Sequence, residues 1–228
     1  MNIRKYLKST LQTILYKKGF ILTREVQSLG RQRKISMTMY GSADYCRTGT
    51  LELCAYEINS RGINGTVAEV GVYQGDFAFK LGKLFPDREL YLFDTFEGFD
   101  ERDIEIDKKF STAEKETFMN TSSELVLKKI EHRNINIRKG YFPETLLEDD
   151  FDKKFAFVSL DTDLYKPIYD GLSFFYPRLS KGGYIFVHDY NNSSYSGCKQ
   201  AVNKYIEEND ITTVVPITDG WGTLIITK

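Results

Sequence analysis

An apolar run, Val67-Ala68-Glu69-Val70, breaks at Gly71-Val72-Tyr73-Gln74-Gly75, and a second run, Leu90-Tyr91-Leu92-Phe93, ends in Asp94. This order gives a buried strand, a glycine turn opening a helix, and a second buried strand. The alternation continues to the end of the chain, with strands expected near 66–71, 89–93, 134–138, 155–160, 183–188, 211–216 and 221–227. Helices are expected between them near 76–84, 122–131, 166–177 and 197–208. Apolar strands alternating with helical stretches predict a parallel sheet covered by helices on both faces. Only Thr218-Asp219-Gly220 separates the last two runs, too little for a right-handed crossover, so these strands form an antiparallel hairpin. The expected fold is α/β, a Rossmann-like seven-stranded sheet with a terminal antiparallel pair.

Residues 1–62 read as an N-terminal helical extension and 63–228 as the main domain. Ile3, Leu7, Leu11, Ile14 and Leu15 share one helical face, and a second helix is expected near 51–59 after a Gly41–Gly49 loop. The first 34 residues carry +8 and the remainder −9. A basic amphipathic helix packs on its own protein, joins a second subunit or lies on an anionic membrane. The acidic remainder is the wrong sign for a nucleic-acid track. No run is long and apolar enough to span a membrane, and three cysteines at unrelated spacings suit a reducing cytoplasm. One charged segment, about 98–120, interrupts the rhythm. A connection of that length is a substrate lid or a solvated insertion.

The glycine turn limits what the sheet can bind. Gly71 and Gly75 let backbone approach a ligand, and Asp94, 23 residues beyond Gly71, suits a ribose diol. The third glycine of a dinucleotide site is missing, and Glu69 would repel a pyrophosphate while welcoming a cationic amino-acid tail. A nucleoside carrying a positive group points to S-adenosylmethionine (SAM). The cofactor set is Glu69, Gly71, Tyr73, Gly75, Asp94 and Thr95.

Two later strands end in acids, at Asp161-Thr162-Asp163 and at His188-Asp189. Ligands sit outside the carboxyl ends of parallel strands, so these groups should converge beside the sulfonium. Asp161 and Asp189 are metal candidates, and Mg²⁺ or Mn²⁺ suits such oxygen donors. His188 is either a third ligand or the base that takes a hydroxyl proton. Asp163 is a second base, or else it caps the following helix.

Glu69 to Gly75, Phe93-Asp94-Thr95-Phe96-Glu97-Gly98-Phe99, Lys139 to Thr145, Leu160 to Tyr165 and His188-Asp189-Tyr190 together resemble the macrocin O-methyltransferase family. The resemblance implies a class I, SAM-dependent sugar O-methyltransferase, commonly Mg²⁺-dependent and oligomeric, here expected as a homodimer. It places Glu69 and Gly71 at the methionine, Asp94 at the ribose and Asp161 with Asp189 at the metal. His188 departs from the paired aspartates of antibiotic-tailoring members. The competing readings are an NAD-type oxidoreductase, which Glu69 opposes, and a catalytically silent SAM-fold binding module.

Overall fold

The structure, a computed structural model, describes residues 3–18, 45–130 and 132–228. The chain divides into two units, 1–35 and 36–228. Of the first, helix α1 spans Ile3–Tyr16, as its apolar spacing predicts, and Leu11 and Ile14 are about half exposed on it.

In the second unit, helix α2 (Tyr45–Ser60) precedes strand β1 (Thr66–Val70), helix α3 (Asp76–Leu84) and strand β2 (Leu90–Asp94). Helices α4 (Glu101–Asp107) and α5 (Ser123–Lys129) lead to strand β3 (Ile135–Lys139). Strand β4 (Phe155–Leu160), helix α6 (Tyr165–Arg178), strand β5 (Leu179–Val187) and helix α7 (Ser196–Glu208) follow. Strands β6 (Val214–Pro216) and β7 (Leu224–Thr227) end the chain. The sheet order is β3-β2-β1-β4-β5-β7-β6, with β7 antiparallel to both β5 and β6. The seven-stranded sheet and its terminal hairpin are as expected from the sequence.

The period-2 pattern sorts the strands' side chains into two cores. Tyr91 and Phe93 of β2 face Phe174 and Phe175 of α6, while Leu90 and Leu92 join Leu51 and Ile58 of α2 and Leu81 of α3 on the opposite face. Phe155 and Phe175 meet edge-to-face with ring centroids 4.9 Å apart. Burying one such ring fully contributes about 1.5–3 kcal/mol.

Two boundaries differ most from the sequence reading, and β6 and β7 each begin three residues later than expected. Helix α2 starts at Tyr45, so the end of the expected Gly41–Gly49 loop is helical; residues 41–44 lie outside the described residues. Gly49 is accommodated because Leu51, Ala55 and Ile58 anchor that helix on the sheet. Strand β5 starts at Leu179 because Leu179 pairs with Phe155 before the glycine pair, and the ladder resumes at Phe157 with Tyr184 across a register shift.

The 98–120 segment is folded onto this frame. Asp107, at the end of α4, is fully buried and its Oδ2 accepts from the Tyr165 amide at 2.8 Å, capping α6. Burial pushes its carboxyl up to about 6, only partly opposed by that hydrogen bond. Folded Asp107 thus holds its proton more tightly than the unfolded chain does. Its contribution favours the fold below about pH 4 and is lost as the pH rises through 6. In chemical denaturation, the stability of Asp107→Asn relative to the wild type should therefore improve by about 2–3 kcal/mol between pH 4 and 8. A pH-independent difference would contradict the assignment.

Candidate active site

A cavity of about 960 Å³ opens at the carboxyl ends of β1, β2, β4 and β5. Glu69, Gly71, Tyr73, Asp94, Thr95, Asp161, Asp163, His188 and Asp189 all line it. Gly75 lies just behind, as the left-handed N-cap of α3. Among the described residues that line the cavity, Tyr73, Phe118, Asp163 and Asp189 also hold positive φ although they carry side chains. Backbone in this region is costly for side-chain-bearing residues and concentrates at binding sites.

Asp94 organises the glycine turn. Its Oδ2 accepts from the amides of Val72 and Tyr73 at 2.6 and 2.8 Å, and its Oδ1 accepts from the Phe96 amide at 2.6 Å. A carboxylate has about four acceptor positions, so roughly one remains for a ligand donor. Asp94→Ala should lower SAM affinity about ten- to hundredfold, the worth of a charge-assisted hydrogen bond of about 1.5–3 kcal/mol. It should also lower the melting temperature, because three amides lose their acceptor. Calorimetry and thermal unfolding measure the two effects, and unchanged affinity in a folded variant would remove Asp94 from the site.

Tyr73 and Thr95 are held by the neighbouring loops. The Tyr73 hydroxyl donates to Asn120 Oδ1 at 2.7 Å, and Thr95 Oγ1 donates to the Gly98 carbonyl at 2.7 Å. Phe118 packs edge-on against both Tyr73 and Phe99, and Phe99 packs edge-on against Tyr195. The 98–120 segment thereby lies along the cavity from the glycine turn to the loop after β5.

Glu69 is almost wholly buried, and its Oε2 has no hydrogen-bond partner. Burial, followed by the charges of Asp161 and Asp94, pushes its carboxyl well above the usual range, against the pull of Arg47 and Lys80. A buried acceptor left unsatisfied costs about 1–3 kcal/mol, which a cationic ligand would relieve.

At the ends of β4 and β5 the acids converge. His188 Nδ1 lies 2.8 Å from Asp161 Oδ1 and also contacts Asp189 Oδ2. Asn192 Nδ2 donates to Asp189 Oδ1 at 2.5 Å. Burial alone would lower the imidazole and raise Asp161. The opposite charges win: His188 is carried up to about 10, and Arg47 and His188 hold Asp161 well below the usual carboxylate range. Burial and the nearby Asp189 and Asp161 push Asp163 well above its ordinary value. Asp163 does not cap α6; Leu164 occupies the N-cap position and Asp107 supplies the acceptor.

Sequence reasoning missed Arg47 and Thr48, which α2 delivers to the cavity, and Asp103, whose Oδ1 accepts from the Tyr141 hydroxyl at 2.8 Å. Arg47 and Thr48 fell in an expected loop. Asp103 was one of several acids in a charged segment.

The chain is 26% identical over 178 residues to demethyldecarbamoylnovobiocin O-methyltransferase of Streptomyces niveus, covering 72% of this chain and 67% of that protein. It is 26% identical over 203 residues to mycinamicin III 3''-O-methyltransferase of Micromonospora griseorubida, covering 82% and 77%. Among solved structures, the O-methyltransferase NovP superposes with a TM-score of 0.69 at 23% identity, covering 80% of this chain and 79% of NovP. The calicheamicin methyltransferase CalS11 gives 0.64 at 18% identity, covering 100% and 93%. Both share the fold, a class I methyltransferase sheet. The profile of the macrocin-O-methyltransferase family matches residues 7–225, nearly the whole chain, and the protein belongs to that family of O-methyltransferases.

Proposed function

We propose that this enzyme transfers the methyl group of SAM to a sugar hydroxyl of a glycan or glycosylated small molecule. The observation that carries the reading is the joining, in one cavity, of the Glu69–Gly71 turn and the Asp161/His188/Asp189 cluster. The sugar acceptor is supported by a relative whose name carries a rhamnosyl substrate, the 8-demethyl-8-(2,3-dimethoxy-alpha-L-rhamnosyl)-tetracenomycin-C 4'-O-methyltransferase of Streptomyces olivaceus. The acid-rich lining suits a positive sulfonium.

In the transfer, the acceptor oxygen attacks the methyl carbon in line. The carbon–sulfur bond breaks, its electron pair stays on sulfur as a neutral thioether, and the hydroxyl proton must leave. His188 and Asp163, which line the cavity beside Asp161 and Asp189, are the candidate bases that receive it. When His188 takes the proton, the imidazolium so formed is stabilised by Asp161 and Asp189, which its Nδ1 faces.

Asp161, His188 and Asp189 offer three ligand atoms within 4.8 Å of one another. Two carboxylates and an imidazole fit a divalent ion such as Mg²⁺ or Mn²⁺, although imidazole matches Mg²⁺ less well than a third carboxylate would. When bound, such an ion supplies acidification of a coordinated hydroxyl.

Titration calorimetry should show S-adenosylhomocysteine binding and NAD not binding, and labelled SAM should pass its methyl group to a glycoside. EDTA should abolish transfer and Mg²⁺ or Mn²⁺ restore it. Full activity after exhaustive chelation would confine the cluster to the metal-free role above, and NAD binding would favour an oxidoreductase.

Residues 1–62 are read as a helical extension that serves as an oligomerisation or lid element, 63–228 as the methyltransferase domain of a homodimer, and about 98–120 as a lid insertion. No helix among the described residues is long and apolar enough to cross a membrane. Free thiols at Cys46, Cys54 and Cys198 fit a cytoplasmic setting.

A further inference from the structure

Trp221 is the chain's only tryptophan, and it lies in the turn between β6 and β7. An indole is usually well buried, because its large apolar face is costly to leave in water. Trp221 is instead 56% exposed while lining the cavity. Phe99, Phe118 and Tyr195 line the cavity too, but they pack edge-on against one another in a row.

The turn is built to hold this position. Asp219 Oδ1 accepts from the amides of Gly222 and Thr223 at 2.6 and 2.7 Å, and the Ile217 amide donates to the Thr223 carbonyl at 3.0 Å. Gly222 has φ 77, and a Cβ there would lie 2.4 Å from the Asn191 Cβ. Its carbonyl accepts from the Asn191 amide at 3.1 Å, so the turn rests on the loop that follows β5. Asn191 is two residues from Asp189, a span of at most about 7 Å of extended chain. Trp221 thus belongs to the end of the cavity that holds the acid cluster, across the sheet from Asp94 on β2.

This end suits a sugar ring. A pyranose chair carries its hydroxyls around the edge and turns axial C–H bonds toward its faces, and those slightly positive hydrogens meet the negative face of an aromatic ring. Stacked on Trp221, a sugar would cover the exposed indole while its edge hydroxyls reach toward the acids. Arg47, Lys80 and Lys129, the arginine and lysines that line the cavity among the described residues, come from α2, α3 and α5. Lys199, which bonds Asn191 at 2.8 Å, does not line it. An anionic substituent at the Trp221 end would therefore face Asp163 and Asp189 without a lysine or arginine from the adjoining loops.

We propose that Trp221 is the stacking platform for the acceptor sugar, a specificity-determining residue that selects a neutral pyranose with an open C–H face. The proposal rests on the sugar-methylation reading above and extends it to the chemistry of the acceptor.

Because the chain has one tryptophan, its emission reports on this residue alone. The full chain, saturated with S-adenosylhomocysteine, is titrated with the methyl glycosides of glucose, galactose, mannose and rhamnose. Methyl glucuronide serves as the anionic probe, and benzyl alcohol as an aromatic probe without a sugar. At least one neutral glycoside should shift the emission and protect the indole from acrylamide quenching, and the glucuronide should bind about tenfold more weakly than the best of them. By calorimetry, Trp221→Ala should weaken binding of that glycoside about tenfold and Trp221→Phe, which keeps a smaller aromatic face, about threefold. Both variants should hold S-adenosylhomocysteine and unfold thermally as the wild type does, which separates loss of the acceptor from a disturbed fold.

No protection by any glycoside overturns the proposal, as does protection by benzyl alcohol alone or unchanged glycoside binding in Trp221→Ala. A glucuronide held as tightly as the neutral probes overturns the selection of a neutral sugar. Failure of the wild type to bind S-adenosylhomocysteine would reject the cofactor reading itself, a separate result.

Discussion

Asp161→Ala is expected to lower methyl transfer at saturating SAM by about 100-fold or more and to destabilise the fold by about 3 kcal/mol. Both effects come from the same two contacts. Asp161 faces Arg47 with one oxygen and His188 with the other, and these partners are only 8% and 11% exposed. Removing the acid strands a buried guanidinium and a buried imidazolium beside each other. Breaking such pairs costs about 3–5 kcal/mol, taken here at the low end because Asp161 itself is 20% exposed. Asp161→Asn keeps the shape and an oxygen, so it should recover much of the stability but not the turnover. Urea unfolding and single-turnover transfer measure the two losses. A variant as stable and as active as the wild type would remove Asp161 from the chemistry.

The sheet was legible because its strands are nearly all apolar and its turns carry glycine. Asp161, His188 and Asp189 were legible because parallel strands deliver their carboxyl ends to one place, and β1, β4 and β5 are neighbours as that argument requires. Arg47 was not, since a guanidinium in a predicted loop looks like any solvated surface charge. Its burial depends on Asp161 and Ser159, each more than a hundred residues away. Asp163 shows the same limit from the other side. Its spacing before α6 fits a helix cap, yet Asp107, from a charged segment with no regular pattern, fills that role. Long-range polar pairing leaves no periodic trace in a single chain.

Gly71→Ala is expected to destabilise the fold by more than about 3 kcal/mol and to abolish measurable SAM binding. Gly71 has φ 84, where a side-chain-bearing residue costs about 1–2 kcal/mol. Space is the larger problem. A Cβ there would lie 2.0 Å from the Asp161 carbonyl oxygen and 2.6 Å from its carbonyl carbon, and both are backbone atoms that no rotamer can move. The strands at that point are joined by the Asp161 amide donating to the Val70 carbonyl at 2.8 Å and the Gly71 amide donating to the Phe93 carbonyl at 2.9 Å. Opening β1 from β4 to admit a methyl group would strain these bonds and shift Asp161 away from Arg47 and His188. Gly75→Ala provides the comparison. Its φ is 77, but the added Cβ would meet only Val126 side-chain atoms, the nearest at 3.2 Å. That variant should lose about 1–2 kcal/mol and keep SAM binding within about tenfold. Thermal unfolding and calorimetry on the pair separate backbone strain, which the two share, from collision with the strand that carries the acid cluster, which belongs to Gly71 alone. Equal effects from both substitutions would show that the close approach of β1 to β4 does not govern the site.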